Sequence, residues 1–145
     1  MKYKLENNIN LPRQQVIELV DNPETMKPWQ PGFRKMEVIS GTPGQEGTKS
    51  LIRYHLNGRD IEMFEVITKR NLPDEFHGIY EAGNVWNEVK NYFTELDENT
   101  TKWIAANDFK LQGWQKIFSL FLSEAFKKQS YDSMECFKAF AEQKK

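Results

Sequence analysis

The stretch TKSLIRYHLNGRDIEMFEVITKR, residues 48–70, decides the fold. Two runs of alternating side chains flank Asn57-Gly58, a dipeptide favoured in two-residue β-turns because both central positions need positive φ. Such a turn fixes the register. It sets Leu56 opposite Arg59, Tyr54 opposite Ile61, Ile52 opposite Met63 and Ser50 opposite Glu65. Ser50, Ile52, Tyr54, Leu56, Ile61, Met63, Glu65 and Ile67 then share one face. The opposite face carries Lys49, Arg53, His55, Asp60, Glu62 and Thr68, with Leu51, Phe64 and Val66; it holds most of the charge, so the first face is the one expected inside.

The same reasoning extends downstream. Glu75–Ala82 and Val85–Leu96 flank Gly83-Asn84, a second hairpin signal, which turns Phe76, Gly78, Tyr80, Ala82, Val85, Asn87, Val89, Asn91 and Phe93 inward. Asp97-Glu98-Asn99 reads as a three-residue turn into a strand over Thr100–Phe109. Trp103, Ala105, Asn107 and Phe109 then face inward, whereas a two-residue turn would reverse them. From Leu111 to about Gln143 the pattern is helical. Met134, Phe137 and Ala141 form a narrow stripe in its second half. From Trp114 to Phe126 it is apolar nearly all round, which fits a deeply buried start, the mouth of a cavity or a homodimer contact.

Upstream, residues 2–9 alternate as a strand. Pro12 is expected as the first residue of a short helix presenting Val16, Ile17, Leu19 and Val20. Asn22-Pro23-Glu24 starts a second short helix ending near Trp29, and Phe33–Ser40 reads as a strand. Gly41, Gly44 and Gly47 are spaced like a phosphate-binding loop. A strand follows them where a helix N-terminus would be required.

The whole chain, residues 1–145, is expected to be one domain. Twenty Lys and Arg against twenty-one Asp and Glu leave a net charge of −1, which gives no basic face for nucleic acid. No apolar run approaches the length of a membrane span, so no stable membrane insertion is expected. The single Cys136 agrees with a reducing compartment, and a cytoplasmic location is expected. His55 and His77 fall on the outer face without metal-spaced companions, and no cofactor is implied.

Strand, two short helices, six strands and a long C-terminal helix resembles the helix-grip order of the START-like (SRPBCC) superfamily, within it the polyketide cyclase/dehydrase branch. The landmarks are Asn10-Leu11-Pro12 with Val16 one turn on, Trp29-Gln-Pro-Gly-Phe33, Gly47-Thr48, Thr100-Thr-Lys-Trp103 and Phe126-Lys-Lys-Gln129. The resemblance implies an α+β fold: a seven-stranded curved antiparallel sheet, two short helices, and one long helix over the concave face. It also implies a cavity for lipids, polyketides, hormones or other apolar molecules. Only some members are enzymes and no invariant catalytic motif defines them, so no catalytic residue is carried over.

The inward face holds a sparse polar set: Ser50, Tyr54, Glu65, Tyr80, Asn87, Asn91 and Asn107. Few polar groups on apolar walls are how small-molecule sites orient ligands, although the same groups can satisfy one another or a buried water. Glu65 is the one candidate catalytic residue, because a carboxyl in an apolar enclosure acquires a raised pKa suited to acid–base work. The same residue also fits a ligand anchor, or a structural role as a partner of Arg34 or a carboxylate solvated near a cavity mouth. Candidate ligand-binding residues are Trp29, Ile52, Tyr54, Met63, Glu65, Phe76, Tyr80, Asn87, Asn91, Trp103, Asn107, Phe118, Leu122 and Phe126. Three functions fit: binding a hydrophobic small molecule, cyclase- or dehydratase-like proton transfer through Glu65, or protein interaction without a ligand.

Overall fold

The computed structural model describes residues 1–56, 58–111 and 119–144, with side chains described for all of these except 119–126. The chain runs β1 (Lys2–Ile9), α1 (Arg13–Val20), a 3-10 turn (Pro23–Thr25), α2 (Met26–Trp29), β2 (Phe33–Ser40), β3 (Lys49–Leu56) and β4 (Arg59–Asn71). It continues with β5 (Glu75–Ala82), β6 (Val85–Asp97), β7 (Thr100–Leu111) and α3 (Ser119–Glu142). All seven strands form one curved antiparallel sheet in the order β1-β7-β6-β5-β4-β3-β2. Consecutive hairpins build most of it, and β1 closes one edge against β7. The fold is α+β with the long helix at the C-terminus, as the hairpin pattern requires.

Both hairpins keep the register that their turns dictate. Ser50 lies opposite Glu65, Ile52 opposite Met63 and Tyr54 opposite Ile61, while Tyr80 lies opposite Asn87. The last turn differs from expectation. Asp97 pairs directly with Thr100, so the turn has two residues, and the Asp97 side chain accepts from Asn99 N at 2.8 Å. A register shift between Glu95 and Asp97 compensates, leaving Glu95 opposite Thr101 and Phe93 opposite Trp103. Trp103, Ala105, Asn107 and Phe109 therefore face inward after all.

Two boundaries move. Leu111 does not open the helix; it ends β7 opposite Val85 and is buried with Phe109, because the long β6 offers it a partner. Pro12 stands one residue before α1, its ψ of 144° being extended, and its carbonyl accepts from Val16 N at 3.2 Å. The expectations for Trp114, for Phe118 and for the side chains of Leu122 and Phe126 lie outside the described residues.

The long helix docks through its narrow stripe. Met134 packs with Tyr3, Leu5, Ala105, Phe109 and Leu111, and one turn on Phe137 and Ala141 pack with Ile9, Leu11, Val16 and Phe93. Val16 thus ties α1 into the same core. Gly32 joins the end of α2 to β3: its carbonyl accepts from His55 N at 2.8 Å, at a φ of +76°. A Cβ there would meet His55 O at 2.5 Å, which only glycine avoids.

Candidate functional site

Between the concave face of the sheet, α2 and the second half of α3 lies a cavity of about 760 Å³. Its apolar wall draws on all seven strands, among them Leu5, Met36, Leu56, Met63, Phe76, Val89 and Phe109. Across this wall runs one row of polar side chains set by register alone. Ser50 opposes Glu65, Glu65 opposes Tyr80, and Tyr80 opposes Asn87. Asn107 extends the row diagonally, accepting from Asn87 Nδ2 at 3.5 Å.

Glu65 occupies the centre of this row and is 8 % exposed. Burial pushes its carboxyl above the usual carboxylate range, and a hydrogen bond from the Tyr80 hydroxyl only partly opposes that. The same burial, with Glu65 beside them, pushes the Tyr80 and Tyr54 hydroxyls well up. Tyr54 donates to Gln30 Oε1 at 2.7 Å, so the residue after α2 anchors a β3 side chain. Arg34 is not the partner of Glu65. It lies exposed at a register shift in β2, which turns it away from the cavity.

A second set of groups belongs to an aromatic cluster around α3. The Phe137 ring meets Trp29 edge-on at 5.1 Å and Trp103 at 5.4 Å, and Trp103 stacks on Phe93 at 6.0 Å. Trp103 Nε1 donates to Asn91 Oδ1 at 2.9 Å. Trp29 Nε1 is buried without a partner among the described residues, and so is Asn87 Oδ1. Both residues line the cavity.

The structure brings Trp29, Tyr54, Met63, Glu65, Phe76, Tyr80, Asn87, Asn91, Trp103 and Asn107 to the cavity wall. Ile52 shares their face but is 1 % exposed and does not line the space. Phe118, Leu122 and Phe126 lie outside the described side chains. Sequence reasoning missed Gln30, and also Ser130 and Ser133, the polar flank of the helix stripe. Helical spacing from Met134 and Phe137 was the signal for the two serines; Gln30 carried none.

The cavity opens beside α1, where the lining residues Asp21, Pro23, Val38 and Pro43 are exposed. Arg70, at the far end of β4, holds this side together. Its guanidinium donates to both oxygens of Asp21, at 2.6 and 2.7 Å, and to Gly44 O at 2.9 Å. On the opposite face of the sheet, His77 is buried against Tyr92 at 5.1 Å and points away from the cavity. Among the described residues, no three His, Cys, Asp or Glu side chains are grouped to hold a metal ion, and no helix is long and apolar enough to cross a membrane.

A curved antiparallel sheet grasping a C-terminal helix, with a hollow between them, is the helix-grip architecture. Solved structures share it at full length. A conserved protein from Geobacillus kaustophilus superposes with a TM-score of 0.81 at 12 % identity, covering 99 % of this chain and 96 % of the other. The Zhui aromatase/cyclase from Streptomyces sp. R1128 gives 0.80 at 12 % identity, covering 99 % and 94 %. A START superfamily protein from Mycobacterium smegmatis gives 0.77 at 8 % identity, covering 99 % of each chain. No family model matches the sequence, and no curated protein matches it. The likeness is one of fold, and the fold is that of START-like and aromatase/cyclase structures.

Proposed function

We propose that this chain is a single cytoplasmic domain that binds a hydrophobic or amphipathic small molecule, lipid- or polyketide-like, between the sheet and α3. The observation that carries the reading is an apolar-walled cavity of about 760 Å³ crossed by one polar row. That volume lies in the range of small-molecule sites, which combine apolar walls with a few placed polar groups. Burial of the ligand's apolar area at roughly 25 cal/mol per Å² drives affinity, less the costs of association. The polar row sets orientation. The exposed Cys136, the one cysteine of the chain, suits a reducing compartment.

Native mass spectrometry of the purified chain and titration with a neutral apolar fluorophore test this. Retained small molecules, or saturable binding that Met63→Trp blocks by filling the cavity, support it. A fluorophore that never binds, at any concentration short of aggregation, removes it.

A second reading rests on Glu65. A carboxyl with a raised pKa that accepts from a tyrosine hydroxyl is equipped for proton transfer in a cyclase- or dehydratase-like reaction. In that case Glu65→Gln abolishes turnover of a polyketide-type substrate while binding survives.

A further inference from the structure

The cavity's charge is one-sided. Its described lining includes the acids Asp21, Glu65 and Asp132 and no lysine, arginine or histidine. Asp21 is already engaged by Arg70. A ligand carboxylate or phosphate finds no counter-ion among the described lining residues, and burying an unpaired charge is costly.

Two residues of the wall carry buried hydrogen-bonding atoms of opposite kind that find no partner among the described residues. The indole of Trp103 donates to Asn91 at 2.9 Å, whereas the indole of Trp29, against the same Phe137 ring, donates to nothing. Asn87 Nδ2 donates to Asn107 at 3.5 Å, while Asn87 Oδ1 accepts from nothing. Such buried orphans are rare in folded proteins, and each asks for a partner.

We propose that the cavity selects an uncharged molecule bearing both a carbonyl-type acceptor, which Trp29 Nε1 meets, and a hydroxyl-type donor, which Asn87 Oδ1 meets. Fatty acids and other anionic amphiphiles are thereby rejected. The inference deepens the binding reading and rests on it. The reluctance of the Glu65 carboxyl to ionise agrees with a neutral occupant, because an ammonium ligand would require it charged.

The test uses the full chain, Nile red as a neutral reporter, and four competitors of one shape at about pH 6.5. These are para-hydroxybenzophenone with donor and acceptor, benzophenone with the acceptor alone, para-benzoylbenzoate as the anion and para-(aminomethyl)benzophenone as the cation. The hydroxyketone is expected to displace Nile red best, about two- to tenfold better than benzophenone, as one satisfied buried group allows. The anion is expected to be weakest. Trp29→Phe keeps an aromatic ring and removes the donor, and Asn87→Leu removes the acceptor together with the Nδ2 donor to Asn107. Each should weaken hydroxyketone binding by a similar factor, and Asn87→Leu should erase its advantage over benzophenone, with far-UV circular dichroism and the urea midpoint of each variant as the evidence of folding. Equal or better displacement by the anion or the cation overturns the inference, and so does unchanged hydroxyketone affinity in both variants. Absence of Nile red binding in the parent chain removes the cavity reading itself, a distinct failure.

Discussion

Tyr80 and Glu65 stand directly opposite each other on β5 and β4, and the Tyr80 hydroxyl donates to the Glu65 carboxyl. The bond joins two buried groups that each resist ionisation, so it holds the centre of the polar row without a cation. Tyr80→Phe removes the one hydrogen bond that lowers the Glu65 pKa. The variant should lose about 1–3 kcal/mol, the usual cost of orphaning a buried polar group. Urea unfolding measures the loss, and NMR titration should find the Glu65 carboxyl ionising at still higher pH.

The raised Glu65 pKa fixes a pH slope. A carboxyl that holds its proton more tightly when folded stabilises the protein fully below its unfolded pKa, and that contribution is lost as pH rises through the folded value. Above both values the slope vanishes. Glu65→Gln cannot ionise, so its unfolding free energy should fall less than that of the parent between pH 4 and pH 8. An identical slope in both proteins would assign the pH dependence elsewhere.

Gly78 makes room for the Tyr80 ring. A Cβ at Gly78 would stand 3.2 Å from the Tyr80 hydroxyl oxygen and 3.3 Å from its ring. Gly78→Val should therefore push the hydroxyl off Glu65 at a cost of about 1–3 kcal/mol. Added to Tyr80→Phe, it should cost less than on its own, because the clashing hydroxyl is already gone. A double-mutant cycle by urea denaturation reads the coupling.

Phe137 joins α3 to both tryptophans and is 1 % exposed. Phe137→Ala should destabilise by about 3–5 kcal/mol, the largest single loss among these variants. Denaturant unfolding followed by tryptophan fluorescence reads it directly, since Trp29 and Trp103 flank the deletion.

Arg70 clasps Asp21 to Gly44 on the open side of the cavity. The pair is part-exposed, so Arg70→Ala should cost no more than about 1 kcal/mol of stability. Its larger effect should be kinetic. Association and dissociation of Nile red, followed by stopped flow, should both quicken several-fold while the equilibrium constant changes little.

Sequence made the sheet legible because a two-residue turn leaves no freedom in the pleat. Once Asn57-Gly58 and Gly83-Asn84 are turns, Ser50, Glu65, Tyr80 and Asn87 must fall on one face. Contacts between distant loops have no such period. Nothing in the residue pattern links Asp21 to Arg70 or Tyr54 to Gln30, and both pairings depend on where α1 and α2 settle. The buried state of His77 was hidden for a related reason. Alternation assigns it to the outer face, but Tyr92, on the neighbouring strand, covers it there. The end of β7 at Leu111 escaped because an apolar residue between a strand and a helix suits either, and only its pairing with Val85 decides.

The extra residue between Glu95 and Asp97 sits well away from the chamber, near the tip of its hairpin. In an unbroken pleat, one codon gained or lost at that tip would swing Trp103 and Asn107 out into solvent. Here the irregularity absorbs the odd residue before the chain reaches them. Turn length and irregularity are therefore matched to each other, and altering either one alone would turn β7 over.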